Sequence, residues 1–218
     1  MKPVCTNGRF KALTLVEGIV VLAVMVLLIG IVLPWWADSR RPSTGMACVN
    51  HLKMVGLAAR VFANDNDDKF PWQITTHAGG SREYQEVPNA AFRHFQVMSN
   101  ELFTPKFLVC PQDRKRAWAT NWVAGFDNRN VSYFVGLSAS ESNTKSILSG
   151  DRYLAGSRPT ANGFLELATN DSIRWAKKYH DYHGYLVFGD GSVSWLDSSG
   201  LQKALRDSDV ATNRLGIP

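Results

Sequence analysis

Leu13 to Leu33 reads LTLVEGIVVLAVMVLLIGIVL, an apolar stretch with one ionisable side chain, Glu17. At about 1.5 Å per residue it extends roughly 30 Å as a helix, the thickness of a bilayer core. In lipid every backbone group has to pair internally, so the segment is expected to be helical. Lys2, Arg9 and Lys11 precede it, which by the positive-inside rule puts the N-terminus in the cytoplasm. Arg40 and Arg41 follow it beside Asp38, but a long following domain translocates largely regardless of such charges. Trp35 and Trp36 fall where the helix leaves the lipid, as in an aromatic belt. A cleaved secretory signal would have an apolar region of about 7–15 residues followed by small residues. Here the run is longer and ends Leu-Pro-Trp-Trp, so a retained single-pass anchor is the reading.

Glu17 is costly inside a membrane, by a few kcal/mol at the centre and less near the interface. Either it sits shallow enough to reach headgroups, or it faces a positive group. A cut just before Leu13 would leave an amine one helical turn from Glu17, in the first turn where the helix dipole favours negative charge.

Ala12-Leu13-Thr14-Leu15-Val16-Glu17, followed by about twenty apolar residues, resembles the type IV prepilin cleavage and methylation signal, usually Gly-Phe-Thr-Leu-Ile-Glu. Ala12 stands for the usual glycine and Leu13 for the usual phenylalanine. The resemblance implies cleavage between Ala12 and Leu13 by a prepilin peptidase and N-methylation of Leu13. It also implies that Glu17 pairs with the terminal amine of a neighbouring subunit in a helical assembly. Pro34 falls where these proteins often carry a kinking proline.

Beyond the anchor, Asp38–Gly45 is polar and holds Pro42, where the helix can break and Ser43 or Thr44 can cap a new one. Cys48, Leu52, Val55, Ala59 and Phe62 then recur at three- and four-residue steps, one apolar stripe of an amphipathic helix. Asn64-Asp65-Asn66-Asp67-Asp68 invites calcium, a hard cation that takes carboxylate oxygens. The turn glycine and distant glutamate of an EF-hand are not in place, and polar residues ending a helix explain the run without a metal. Strands are predicted at Phe107–Cys110, Val131–Leu137, Ile147–Gly150, Gly163–Ala168, Leu186–Phe188 and Val193–Leu196. The last two flank Gly189-Asp190-Gly191-Ser192, a hairpin turn. A short helix near Gly200–Arg206 follows. With no βαβ rhythm, the expected class is α+β: a long N-terminal helix, half membrane-spanning and half amphipathic, packed on a small antiparallel sheet. The expected organisation is a basic leader at 1–12, a transmembrane helix at 13–36, an amphipathic helix at 37–63 and a β-rich periplasmic domain at 64–218.

Three cysteines divide by compartment. Cys5 belongs to the leader; Cys48 and Cys110 would share an oxidising periplasm and could bridge, or remain two buried thiols. His180-Asp181-Tyr182-His183 offers a His-x-x-His pair, but zinc needs further ligands and spacing marks none. The histidines could also serve as a base, yet no nucleophile motif lies near, nor a P-loop or HExxH. No catalytic or metal residue is therefore assigned. The net charge of +5 includes Lys2, Arg9 and Lys11 of the leader and forms no basic stripe, which argues against nucleic acid as a partner.

His180-x9-Asp190-Gly191, within HDYHGYLVFGDGSVSWL, closely resembles the terminal H-x9-DG motif of pseudopilin-like proteins abundant in Planctomycetes and Verrucomicrobia. Cys48–Trp72 and Phe107–Trp122 resemble other parts of those proteins. The resemblance implies a pilin-like fold and a non-enzymatic subunit of a type II secretion or type IV pilus-like apparatus. Its partners would be the prepilin peptidase, other pseudopilins or copies of itself, and the inner membrane. Gly18, Ala23 and Gly30 would permit close helix approach. Asp190-Gly191 would make a tight turn, with His180 entering the first strand and hydrogen-bonding the hairpin loop. The competing readings are a membrane-tethered periplasmic binding protein and a tethered enzyme using His180 or His183.

Overall fold

A computed structural model describes residues 15–39, 44–158, 160–176 and 180–218. The chain divides into two units at residue 42. In the first, helix α1 spans Leu15–Ser39, running past Pro34, with Glu17 in its first turn. Its side chains are described from Leu15 to Gly30, and the apolar ones among them are exposed. Among the described residues no helix is long and apolar enough to cross a membrane; that part of α1 falls short of the roughly twenty residues a bilayer core takes. Ala12, Leu13 and Cys5 lie outside the described residues.

The second unit is α+β. Helix α2 (Thr44–Asn64) opens it and buries Cys48, Leu52, Val55, Ala59 and Phe62, the apolar stripe of the sequence. Asn66 Nδ2 donates to the Phe62 carbonyl, while Asp67 and Asp68 turn into left-handed backbone, so the acidic run ends this helix. Two short helices follow, α3 (Ala91–Val97) and α4 (Ser99–Leu102).

The main sheet is built from β1 (Tyr133–Gly136), β2 (Ile147–Asp151), β4 (Phe164–Ala168), β6 (His183–Phe188), β7 (Val193–Asp197) and β8 (Thr212–Gly216). Its order is β4-β8-β1-β2-β6-β7, antiparallel throughout. A two-stranded sheet pairs β3 (Leu154–Gly156) with β5 (Ile173–Trp175), and helix α5 (Ser198–Asp207) precedes β8. The α5 N-terminus is capped by Asp197, whose carboxylate accepts from Gly200 N–H at 2.7 Å.

Both faces of the main sheet are covered, which explains the unbroken burial of β1 and β2. Tyr133, Val135, Leu148, Tyr185 and Val187 pack with α2 and with Phe70, Trp72 and Phe95. Phe134, Ile147 and Leu186 point the other way, against Trp175 and the α5 residues Leu201 and Leu205.

Phe107–Cys110, predicted as a strand, is not one. Pro105–Leu108 forms a 3-10 turn, because Pro105 presets the first helical position and Thr104 Oγ1 accepts from Lys106 N–H. The predicted strands at Ile147 and Val193 start where expected, the other three start one to three residues away, and β3, β5 and β8 lie outside the predicted set.

Candidate functional site

The most unusual chemistry of the domain is buried where α2, the 105–113 turn, β2 and the start of β6 converge. Cys48 lies on the buried face of α2, and Cys110 follows the 3-10 turn. Their Cα atoms are 5.3 Å apart and the two sulfurs are bonded. The bridge ties α2 to the segment that continues into Pro111-Gln112-Asp113, where Asp113 N–H donates to the Cys110 carbonyl at 2.8 Å.

His180 comes to this bridge from 70 positions away: its Nε2 lies 3.7 Å from Cys110 Sγ. The same nitrogen lies 3.5 Å from Asp151 Oδ2, at the end of β2. The rings of Tyr185 and Trp195 close over His180 edge-on, with centroids 5.3 and 5.2 Å away. Asp151 Oδ2 also accepts from Tyr185 N–H at 2.8 Å. Alongside, Asp113 is held by Arg152, Nε to Oδ2 at 2.9 Å, and by Tyr153 Oη, which donates to Oδ1. Cys110, Asp113, Ser132, Asp151, Tyr153 and His180 line a cavity of about 10 Å³. Ser132 Oγ and Tyr133 Oη are buried without a hydrogen-bond partner among the described residues.

Electrostatics follow from enclosure. Burial pushes the Asp151 carboxyl up to about 7; the Tyr185 N–H favours the charged form, and the negative Asp113 opposes it again. Burial also lowers His180, so both members of the pair are driven toward their neutral forms. Tyr133 is raised by burial first and by Asp151 and Asp113 next. As the structure stands, the imidazole and carboxylate can share a proton, and the two sulfurs could take a soft cation only after their bond is reduced. The cavity beside them, about 10 Å³, has room for about one water.

The expected bond from His180 to the hairpin loop does not form. His180 precedes β6 in a bend and is turned inward to Asp151, because Asp181 and Tyr182 take left-handed backbone, φ 47° and 63°. His183 separates from it, stacking on Trp195 at an interplanar angle of 4°. The His-x-x-His spacing therefore does not bring the two rings together. Asp190 and Gly191 do sit in the loop joining β6 to β7. Asp190 Oδ1 accepts from Ser192 N–H at 2.8 Å, and Gly191 adopts φ 80°.

Asp151, Ser132 and Arg152 carry no sequence signal of this role. Asp113 carries a partial one, since a Cys-Pro-x-Asp turn places an acidic side chain beside the preceding cysteine. The ligand atoms of Cys48, Cys110 and His180 lie within 4.8 Å of one another; among the described residues this is the grouping that could hold a metal, and the acidic run at 64–68 is not part of it. Compared with family models, with curated proteins and with solved structures, the chain finds no match.

Proposed function

We propose that the chain is a pseudopilin-like structural subunit, anchored in the inner membrane by residues 13–36 with its α+β domain in the periplasm. The observation that carries this is the Ala12–Glu17 signal at the head of an unbroken apolar stretch. Glu17 in the first turn of α1 is placed where a carboxylate is favoured by the helix dipole and near a new terminus at Leu13. Prepilin peptidase would cut between Ala12 and Leu13. Subunits, copies of this chain or other pseudopilins, would then assemble along an axis through their apolar helices, a head-to-tail contact in which each amine meets a neighbour's Glu17.

The domain supports the reading in two ways. Its Cys48–Cys110 bridge suits an oxidising compartment. Its polar cluster lines a cavity of only about 10 Å³, which suits a rigid structural module better than an enzyme. Mass spectrometry of the mature N-terminus tests the proposal. A chain beginning at N-methylated Leu13 is the expected result; an intact Met1 would leave only a plain anchor.

A further inference from the structure

The disulfide and His180 bring three donors of a structural zinc site within 4.8 Å of one another, and Asp151, 3.5 Å from His180 Nε2, stands beside them as a fourth that would have to move in. With Zn–S of about 2.3 Å and Zn–N or Zn–O of about 2.0–2.2 Å, the edges of a tetrahedral site run from about 3.3 to 3.8 Å. His180 Nε2 already stands 3.7 Å from Cys110 Sγ and 3.5 Å from Asp151 Oδ2. Cys48 Sγ lies within 4.8 Å of both other ligand atoms. Once the bond is broken the two sulfurs would have to separate to about 3.8 Å, and Asp151, which lies outside that grouping, would have to turn toward them.

A second observation points to a ligand at the same place. Ser132 Oγ lines the cavity between Cys110, Asp151 and His180 and is buried without a hydrogen-bond partner among the described residues. Buried hydroxyls seldom go unpaired. The cavity of about 10 Å³ beside it has room for one water or one metal ion. Arg152, the neighbouring cation, is paired with Asp113 and does not compete for Asp151.

We propose that the Cys48–Cys110 bridge and a zinc ion are alternative occupants of this cluster: in the reduced protein Cys48, Cys110, His180 and Asp151 bind one zinc. The chemistry balances. A dithiol reductant supplies two electrons and two protons and leaves as its own disulfide; the Sγ–Sγ bond breaks and two thiols form. Zinc then displaces both thiol protons to water, and thiolates, imidazole and carboxylate fill the tetrahedron. Either occupant pins α2 to the 105–113 turn, so the domain keeps one cross-link in oxidising and in reducing surroundings. The inference does not depend on filament assembly.

Cobalt(II) reports the site directly. Full-length protein carrying Cys5→Ser, in detergent, would be reduced without air and titrated with Co²⁺, then with Zn²⁺. The expected result is one equivalent bound, with the visible bands of tetrahedral cobalt and a sulfur-to-cobalt charge-transfer band, both erased by zinc. The oxidised protein should show neither. His180→Ala and Asp151→Ala should each weaken binding at least tenfold, and Cys48→Ser/Cys110→Ser should abolish the charge-transfer band. Reduced protein that binds no cobalt, or bands indifferent to His180→Ala, would overturn the proposal. If reduction unfolds the chain, refolding by one equivalent of zinc counts for it and failure to refold counts against it.

Discussion

Arg60 of α2 donates from Nη1 to the backbone carbonyl of Asp190 at 2.9 Å, a bond between residues 130 positions apart. Its Nε pairs at the same time with Glu141 at 3.2 Å. The Asp190-Gly191 step is therefore more than a turn: it presents a carbonyl to the helix that packs across β6. At the same crossing, a Cβ on Gly56 would stand 2.8 Å from Val187 Cγ1 and 3.4 Å from Gly191 Cα. Helix and hairpin meet backbone to backbone there, and the loop's conformation and the helix's glycine are parts of one contact.

Gly56→Ala is expected to destabilise the domain by about 1–3 kcal/mol through overpacking, despite the better helix propensity of alanine. The clash is with a single methyl, so in a Val187→Ala background the same substitution should cost clearly less. Urea unfolding of the four proteins of this double-mutant cycle gives the coupling. Equal costs in both backgrounds would mean that α2 does not approach the hairpin this closely.

Much of this architecture was legible because its signals are local. Gly189–Ser192 between two apolar runs specified the β6–β7 hairpin, whose register pairs Val187 with Val193. The stripe from Cys48 to Phe62 specified the buried face of α2. What escaped was non-local. Phe107–Cys110 has a strand's composition, but Thr104 and Pro105 start a 3-10 turn there, and turn chemistry wins over a four-residue apolar run. Strand β8 contains Asn213 and Arg214 and looked polar. Asn213 is nevertheless buried, with its amide donating to Ser208 Oγ at 3.0 Å, and Arg214 reaches Glu86. Of the cluster, the Cys48–Cys110 bridge was one of the two outcomes that compartment allowed, but no spacing along the chain encodes the arrival of His180 and Asp151 beside it.

The bridge closes a loop between residues 62 positions apart. On the chain-entropy account such a closure stabilises the fold by about 4 kcal/mol, less any residual structure in the unfolded chain. Reducing the protein in metal-free buffer should therefore lower its urea midpoint, with Cys48→Ser/Cys110→Ser equally unstable and insensitive to reductant. A midpoint unchanged by reduction would show that packing alone holds α2 to the 105–113 turn.

Acid should act through His94. This imidazole is buried against Trp72, Nδ1 shares a hydrogen bond with Ser81 Oγ at 2.8 Å, and burial holds its pKa down at about 4 instead of 6.5. The unfolded chain thus takes up a proton more readily than the folded one. The stability this neutral histidine contributes is complete above 6.5 and falls as pH drops toward 4, by up to about 3 kcal/mol. Asp151 runs the opposite way, since its raised carboxyl pKa makes the folded state gain stability as pH falls below about 7. Comparing His94→Gln with the parent separates the two. The gap in unfolding free energy between them should change by about 3 kcal/mol from pH 7 to pH 4, in favour of the variant at low pH. A gap that does not move with pH would remove His94 from the account.

Glu17 carries the assembly proposal, and its removal should divide insertion from incorporation. Replacing a carboxylate by an apolar side chain in a membrane helix can only ease insertion, so Glu17→Val should fractionate with the inner membrane as the parent does. If the carboxylate meets the N-methylated amine of the next subunit, the variant loses a charge pair that water screens poorly. Incorporation into assemblies should then drop about tenfold or more, the equivalent of about 1.4 kcal/mol per contact. Glu17→Gln keeps the length and polarity and loses only the charge, so it should fall nearly as far. Cross-linking of co-expressed parent and variant subunits measures both. Normal incorporation of Glu17→Val would reduce the apolar stretch to a tether, and the domain would then act alone at the membrane surface.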